Sequence, residues 1–340
     1  VFFFNEDTAK PIADYVDDLK GITFQKGMGS MYDKAQRMVE LSRHLMKELG
    51  ETSSTIERTA LLAKADLTTK LVFEFTELQG FIGADYARVS GEDARICEGI
   101  KEHYFPLNAE SETAKSIEGQ IAGIADKIDN ICAVFVDGKK PTGSSDPLGV
   151  RRAALGIIRT ILEYGLKIDI EKLIEKSLEL LPIKRDCADE IKEFFTQRLI
   201  IHFNETYKKT VLEACSNNAL VDLNDFIERV KVVVELNNTQ LLESTNRVLR
   251  ITKDVSNTNI SISLFKEQAE KELFEQIQKL DENVDYQTYL AKIIEINPYV
   301  VKFFDDVLVM DKDEAVKANR LALLTTLKNK YNHLTDFSKL

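Results

Sequence analysis

Apolar residues recur at intervals of three and four positions along almost the whole chain, whereas the strict alternation typical of β-strands is scarce. Such intervals place side chains on one face of an α-helix. The stretch that follows Ser54 illustrates the pattern, since one broad face carries Ile56, Ala60, Leu61, Ala63, Leu67 and Leu71. The sequence therefore predicts an all-α protein built from amphipathic helices.

Capping residues predict where the first helices begin and end. Ser30 followed three positions later by Asp33 is typical of a helix start, and Gly50 is typical of a helix end. Ser54 and Glu57 repeat the same starting pattern. We therefore expect one helix from residue 31 to about residue 49 and a second that opens at Ser54.

Later features divide the rest of the first half of the chain. Apolar spacing predicts a helix over residues 117–136, and a stretch rich in glycine, proline and serine at residues 138–147 predicts a loop after it. Asp146 is a good N-cap and Pro147 a good first helical residue, so we expect the loop to lead directly into another helix. A break at Leu181-Pro182 follows an amphipathic segment and marks the predicted domain boundary.

The length of the chain fits two domains better than one. With 340 residues and 44% hydrophobic content, the chain can bury a sizeable core. We predict one helical domain over residues 1–181 and a second helical region over residues 182–340. The chain starts without Met on an apolar run, Val1–Phe4, which suggests a fragment or a processed protein rather than a native start.

Composition and charge exclude several classes of protein. No stretch approaches the roughly 20 consecutive apolar residues of a membrane-spanning helix, so no membrane partner is expected. A net charge of −11 argues against a protein that coats nucleic acid in general, although it leaves room for local basic patches. The cysteines have no metal-like spacing, which fits a reduced, cytoplasmic compartment; they are Cys97, Cys132, Cys187 and Cys215.

The helix predicted after the loop carries arginines where burial would be costly. Helix geometry puts Arg152 and Arg159 about two turns apart on a stripe that is otherwise apolar. The other members of that stripe are Leu148, Leu155 and Leu162, and a second stripe roughly opposite carries Val150, Ile157 and Ile161. A buried arginine needs a carboxylate or a phosphate as its partner. An internal salt bridge is the ordinary solution, and phosphate contact is the alternative.

The same segment carries a resemblance to a known family. Residues 141–147 read Pro-Thr-Gly-Ser-Ser-Asp-Pro and residues 151–156 read Arg-Arg-Ala-Ala-Leu-Gly, which together resemble the signature of glycyl-tRNA synthetase β chains. Further stretches suggest the same family at residues 64–67, 77–80, 102–104 and 124–129. Near the end, residues 303–307 and 314–324 are similar to the DALR-type anticodon-binding helix that arginyl-tRNA synthetases also use. The resemblance covers essentially all 340 residues.

The resemblance implies a role in the two-subunit bacterial glycyl-tRNA synthetase. In that family two α and two β chains form a tetramer, the α chain holds glycine and ATP, and the β chain supplies most contacts with tRNA-Gly. We therefore expect the C-terminal part of a β subunit, with an HD-like helical domain followed by a helical-bundle, DALR-like anticodon-binding domain. The resemblance implies no adenylation site and no cofactor on this chain, since ATP and Mg²⁺ serve the whole enzyme, and it implies a cytoplasmic location without a DNA partner.

An HD-type metal phosphohydrolase is the first alternative, because the order of motifs in the first domain resembles that class. Such a site needs a His, a His-Asp doublet and a later Asp around a divalent metal. Ala65-Asp66 stands at the doublet and Asp126 at the distal position, so one ligand is absent. His44 and His103 could be offered as further ligands, but an alanine supplies no donor. The sequence therefore predicts a degenerate site without a metal.

Each of these residues also has an ordinary structural use. Asp66 and Asp126 could pair with Lys70 and Lys127 along helix faces, or they could cap helices. Lone histidines are more often packed polar residues than ligands. A helical scaffold that neither binds tRNA nor hydrolyses phosphate esters is the second alternative.

Cationic side chains in both halves are candidates for contact with tRNA. Arg247, Arg250 and Lys253 recur at three-residue spacing and share one face of a helix. The full candidate set is Lys139, Lys140, Arg151, Arg152, Arg247, Arg250, Lys253, Lys317, Asn319 and Arg320, with Lys328 and Lys330 close by and Tyr331 as a second candidate reader of bases. Pairing with local carboxylates is the alternative use of each cationic position.

Overall fold

The computed structural model describes residues 2–139, 141, 146 and 148–340, and the predicted Lys140, loop residues 142–145 and helix start Pro147 lie outside that part. Its α-helices are α1 (Phe2–Asp7), α2 (Met31–Leu49), α3 (Ser54–Leu62), α4 (Lys70–Glu74), α5 (Phe81–Val89), α6 (Ala94–Glu102), α7 (Ile117–Val136), α8 (Val150–Tyr164), α9 (Ile170–Leu180), α10 (Ala188–Phe203), α11 (Lys209–Cys215), α12 (Leu223–Val233), α13 (Thr239–Ile251), α14 (Gln268–Gln278), α15 (Tyr286–Asp306) and α16 (Glu314–Leu334). Short 3₁₀ helices lie at Ile12–Tyr15, Asp17–Gly21, Ala65–Thr68, Thr76–Leu78, Ile262–Leu264 and Phe337–Lys339. The all-α prediction is confirmed, since β-pairing among the described residues is limited to one bridge between Thr23 and Ser30.

Capping chemistry sets both ends of α2 as predicted, and it also sets the start of α7, for which apolar spacing alone predicted the bounds. The Ser30 hydroxyl accepts a hydrogen bond from the Asp33 backbone N–H, and the Asp33 carboxylate accepts one from the Ser30 backbone N–H at 2.7 Å. Gly50 ends α2 with a φ of 71°, a left-handed conformation that glycine adopts without strain. The Ser116 hydroxyl accepts from the Gly119 N–H at 3.1 Å and starts α7. These pairings satisfy backbone groups that a helix end leaves free.

The second predicted helix is shorter than its apolar pattern indicated. α3 ends at Leu62, a 3₁₀ turn follows at Ala65–Thr68, and α4 resumes at Lys70. The break directs the side chain of Asp66 toward the first turn of α5, where it accepts backbone hydrogen bonds. A tertiary contact therefore overrides a pattern that would have allowed one continuous helix.

The helix after the loop begins later than predicted. α8 starts at Val150 rather than at Pro147, and its N-cap is Gly149, with a φ of 66°. Asp146 is not the N-cap, but its carboxylate accepts the backbone N–H of Arg151 at 3.2 Å. Asp146 therefore satisfies a free donor of the first turn from a position outside the helix.

The described chain forms two compact units. The first unit comprises Val1–His202 with Leu220–Asn224, and the second comprises Phe203–Ala219 with Asp225–Leu340. The predicted boundary after residue 181 lies inside the first unit, because later residues still bond to it: the Arg185 guanidinium donates to the Phe135 carbonyl at 2.9 Å. The assignment of functional domains to residues 1–181 and 182–340 stays a prediction.

Helix α7 is the centre of the first unit. It packs against α2, α3, α6, α8 and α9, and all its residues except Ile117 and Asn130 are buried. A helix buried on every side must place its polar side chains inside the protein as well. Asp126, Lys127 and Asp129 are therefore buried, and each requires a partner within the unit.

The second unit is built mainly from the last four helices. Helices α13, α14, α15 and α16 pack against one another, and the terminal 3₁₀ turn packs on α11 and α13. Its largest buried side chains include Phe303, Tyr331 and Phe337. None of the helices described in either unit is long and apolar enough to cross a membrane.

Candidate functional site

In the first unit, Asp126 of α7 lies between two lysine ammonium groups. Lys34 of α2 places Nζ 2.9 Å from Oδ1, and Lys64, just beyond α3, places Nζ 2.8 Å from Oδ2. All three side chains are buried. Burial raises the pKa of Asp126, but the two ammonium groups outweigh that effect and hold the pKa well below its usual range. The carboxylate is therefore ionised and shared by two cations.

A second carboxylate extends this network behind Lys34. Its Nζ also lies 3.1 Å from Asp129 Oδ2 and donates to Asn130 Oδ1 at 2.9 Å. The other oxygen of Asp129 accepts from Arg37 Nε at 2.6 Å. Ion pairs inside the core thus join α2 to α7, and Lys34 and Arg37 are well supplied with acceptors.

Lys64 and Lys127 are less completely paired. Lys64 Nζ lies 3.8 Å from the centre of the Tyr104 ring, and Asp126 is its one ion-pair partner among the residues described. Lys127 Nζ donates to backbone carbonyls, the nearer being that of His103 at 2.9 Å, and has no carboxylate partner in the described part of the chain. Burial lowers the pKa of Lys64 and lowers that of Lys127 to about 8. Both ammonium groups are therefore buried with few neutralising charges.

These side chains line a cavity of about 310 Å³, which we call the lysine-lined cavity. Its charged lining consists of Lys34, Lys64, Asp126, Lys127 and Arg152. Phe24 and Leu107 contribute apolar surface to its wall. Four cationic side chains thus face one carboxylate across the same space.

The arginines of α8 lie outside its buried face, which corrects the predicted stripe. That face consists of Val150, Ala154, Gly156, Ile157, Ile158, Thr160 and Ile161. The Arg152 side chain is 67% exposed, and the Arg159 guanidinium donates to the backbone carbonyls of Ala109 and Ser111 at 2.8 Å each. Arg151 is half-buried and interacts within the chain. Arg152 Nε lies 4.0 Å from Asp146 Oδ2 while its side chain stays largely exposed, and Arg159 is satisfied by backbone carbonyls, because α8 buries one side rather than two.

The doublet matched to an HD-type site does not line the cavity. Ala65 is buried and offers no metal donor. Asp66 Oδ2 accepts the backbone N–H groups of Gly80 at 2.6 Å and Gly83 at 3.1 Å, and burial raises the pKa of Asp66 to about 6. Lys70 pairs with another carboxylate, so the predicted pair with Asp66 is not formed. Capping of α5 is the use that the structure gives to Asp66.

The donors at Asp126 do not fit a divalent metal. Each of its oxygens faces an ammonium group, and those two cations would repel a metal ion. His103 points its Nδ1 at the Ile100 carbonyl, and His44 lies 4.0 Å from Glu48, so neither lines the cavity. Within residues 2–139, 141, 146 and 148–340, no group of three His, Cys, Asp or Glu side chains is arranged to hold a metal. The chemistry of an HD-type hydrolase has no support in this arrangement.

In the second unit, the C-terminal end of α13 and the turn after it carry cationic side chains, and we call this surface the cationic face of α13. Arg247, Arg250 and Lys253 are exposed, and none has an ion-pair partner among the described residues. The Arg247 guanidinium lies 4.1 Å from the centre of the Phe304 ring, which holds it against the helix surface. Arg247 and Arg250 border a shallow depression of about 590 Å³ together with Asn246. Arg247 and Arg250 are thus exposed on α13 as the spacing predicted, whereas Lys253 lies in the turn beyond the helix, and their contact with tRNA stays a prediction.

Two predicted contacts on α16 are engaged inside the second unit. Asn319 Oδ1 accepts from the Ser261 N–H at 2.7 Å, and Asn319 Nδ2 donates to the Ser261 carbonyl at 3.1 Å. Arg320 is buried and pairs with Glu270 at 3.0 Å and with Asp311 at 2.8 Å. A nucleic acid could contact Asn319 or Arg320 only if these bonds broke first. The structure therefore disfavours both residues as tRNA contacts.

The remaining described cationic candidates have partners within the chain, a neighbouring carboxylate for Lys139 and Lys317 and a more distant group for Lys328 and Lys330. These pairs are Lys139 with Asp137, Lys317 with Glu314, Lys330 with Glu282, and Lys328 with the Thr252 carbonyl. Tyr331 is buried. The cationic face of α13 is therefore the best candidate for an external anion among the predicted positions.

Comparison with known proteins identifies the family. A family model of the glycyl-tRNA synthetase β subunit matches residues 1–217. A glycine–tRNA ligase β subunit of Clostridioides difficile is 36% identical, over 100% of this chain and 52% of its own length. Those of a Geobacter species and of Vibrio campbellii are 35% and 33% identical, over 100% of this chain and 52% and 51% of their own lengths. The chain belongs to the glycyl-tRNA synthetase β-subunit family.

Membership of the β-subunit family confirms the resemblance inferred from the loop and its following helix. The chain spans about half the length of the curated β subunits that it matches. Correspondence to the C-terminal part of a β subunit stays a prediction.

The lysine-lined cavity of this family member was not predicted from the sequence. Lys127 was considered only as a pairing partner of Asp126, a pair that the structure does not form, and neither Lys34 nor Lys64 was a candidate for a site. One signal was available in α7, where Asp126, Lys127 and Asp129 interrupt a run of apolar and small residues on every side. Charged residues in a helix without a polar face indicate internal ion pairs or a site.

Proposed function

We propose that this chain serves a β subunit of glycine–tRNA ligase by binding tRNA-Gly and positioning it for ATP-dependent glycylation at the active site of an α subunit. The match of the whole chain to glycine–tRNA ligase β subunits carries the proposal. In the proposed α2β2 assembly, ATP and Mg²⁺ act at the α-subunit site, and this chain holds no cofactor. We place the assembly in the cytoplasm.

The cationic face of α13 supports the tRNA-binding part of the proposal. Phosphate contact needs exposed cations that are not already neutralised, and Arg247, Arg250 and Lys253 meet that condition. Arg247 and Arg250 lie one turn apart on α13, about 4.5 Å along its axis, and Lys253 follows in the turn after the helix, so the three side chains can contact more than one phosphate. Each of the two arginine guanidinium groups can also donate two hydrogen bonds to one phosphate group.

Salt dependence tests the face directly. We would measure binding of tRNA-Gly and of a non-cognate tRNA to the full chain over a range of salt concentrations. Each phosphate contact contributes about 0.7 to 0.9 to the slope of log affinity against log salt, so Arg247→Ala with Arg250→Ala should flatten that slope by about 1.4 to 1.8. Circular dichroism would confirm that the helical content is retained.

A matched control removes the same charge elsewhere. Arg88 and Arg95 are exposed, and each pairs with a neighbouring carboxylate. The variant Arg88→Ala with Arg95→Ala should leave the slope unchanged. Equal slopes for the two double variants would reject the α13 face, and no binding by the wild-type chain at low salt would favour the scaffold alternative. Glycylation is expected when an α subunit and a full-length β chain are supplied together.

A further inference from the structure

We propose that the lysine-lined cavity of the first unit is a metal-independent binding site for a phosphate group carried by a nucleotide or by an RNA. Lys64, Lys127 and Arg152 would contact the phosphate oxygens. The inference does not rest on the α13 face, because it concerns a different unit and different residues.

The charges around the cavity favour an anion. Its lining contains four cationic side chains and one carboxylate, that of Asp126. Three further acids lie close by, and none of them pairs with Lys64 or Lys127. Asp129 is shared by Lys34 and Arg37, Asp66 accepts backbone N–H groups at the start of α5, and Asp146 lies 4.0 Å from Arg152. A bound anion would supply the negative charge that the buried cations lack.

Two buried ammonium groups also retain hydrogen-bonding capacity. An ammonium group has three N–H donors. Lys64 uses one on Asp126 and directs its charge at the Tyr104 ring, and Lys127 donates to two carbonyls. Both side chains are more than nine-tenths buried, so their remaining donors cannot all be satisfied by bulk water. A phosphate group offers several strong acceptor oxygens to such donors.

The shape of the cavity selects a phosphate ester over a simple ion. Arg152 is largely exposed at its edge, where the guanidinium can reach a phosphate oxygen that enters from solvent. Phe24, Pro106 and Leu107 provide apolar surface for an attached organic group. A volume of about 310 Å³ lies within the range of small-molecule sites. The ligand class that fits is therefore a phosphate joined to a nucleoside, either free or in RNA.

Titration calorimetry on the full chain tests the site with inorganic phosphate, AMP and tRNA-Gly as separate ligands, in buffer that contains a metal chelator. The variants are Arg152→Ala, which changes an exposed side chain, and Lys127→Met, which keeps the length of a buried one. Lys64→Met is avoided because it would remove one of the two cations that pair with Asp126. Arg88→Ala is the control, since Arg88 does not line the cavity.

We expect saturable binding to the wild-type chain and to Arg88→Ala, weakened about tenfold by Arg152→Ala and by Lys127→Met, as for the loss of one hydrogen bond to a charged group. If Arg152→Ala and Lys127→Met lose affinity for AMP but bind tRNA as the wild type does, the ligand is a free nucleotide. Loss of tRNA affinity, with competition by inorganic phosphate, would identify an RNA phosphate. Affinities for phosphate, AMP and tRNA that neither variant changes, or binding that the chelator abolishes, would overturn the proposal.

Discussion

Replacement of Asp126 by Asn tests whether a shared carboxylate holds the core of the first unit together. The substitution keeps the side-chain shape and removes the negative charge between Lys34 and Lys64. Lys34 retains Asp129 at 3.1 Å, whereas Lys64 loses its one ion-pair partner in the described chain. A buried ion left without its partner costs about 3–5 kcal/mol. The cost cannot exceed about 5 kcal/mol, because Lys64 can release its proton instead. Neutralising a lysine with an ordinary pKa near 10.4 costs about that much at pH 7.

Thermal unfolding followed by calorimetry measures this effect. For a unit of this size, a loss of about 3–5 kcal/mol lowers the midpoint by about 6–20 °C. The control Asp85→Asn removes an exposed carboxylate that pairs with Arg88, and its midpoint should shift little. The double variant Lys64→Met with Asp126→Asn should recover part of the loss, because no unpaired cation then remains at Lys64. A small shift for Asp126→Asn, or no recovery in the double variant, would refute the assignment of Asp126 as the counter-ion of Lys64.

Three other substitutions probe the fold. The folded-state pKa of Asp66 is raised to about 6, so ionisation of this carboxyl group opposes folding. In urea titrations, the stability of the wild type relative to Asp66→Asn should therefore fall by up to about 3 kcal/mol as pH rises from about 4 to 6. A constant difference in stability across that pH range would contradict this. Gly83→Ala should destabilise the first unit by about 1–3 kcal/mol, since the added Cβ would lie 2.9 Å from the Asp66 carboxylate; an unchanged midpoint would show that the carboxylate can move away. Arg320→Met should destabilise the second unit by about 3 kcal/mol, because Glu270 loses its buried cation and keeps only two backbone donors. The same substitution should leave the salt dependence of tRNA binding unchanged. A flatter slope would restore Arg320 as a tRNA contact.

The two lysines beside Asp126 explain how this carboxylate is neutralised in the core without a metal. In a metal site, a divalent cation neutralises converging carboxylates. Here the Lys34 and Lys64 ammonium groups supply that positive charge to Asp126 directly. Positive charge is thereby built into the protein, and the adjoining space becomes suited to an anion rather than to a cation.

Local chemistry in the sequence determined the class of fold and several helix ends. Apolar residues spaced three and four positions apart predicted an all-α protein, because this spacing places them together on one face of a helix. The ends of α2 were predicted from Ser30, Asp33 and Gly50. Ser30 and Asp33 form hydrogen bonds with backbone groups of the first turn, and Gly50 adopts the left-handed conformation that ends the helix. The loop and helix around residues 141–156 were sufficient to indicate the family that the comparisons confirmed. All these features depend on residues close together in the chain.

Tertiary structure decided the partners of the charged residues. Lys34, Lys64 and Asp126 belong to α2, the turn after α3, and α7, and their spacing in the chain contains no information about contact. The same holds for Arg320, whose partner Glu270 lies on another helix. Helical periodicity places a side chain on a face, but the packing of helices determines what that face meets. Burial then makes each pairing obligatory, because an unpaired charge in the core would cost several kilocalories per mole.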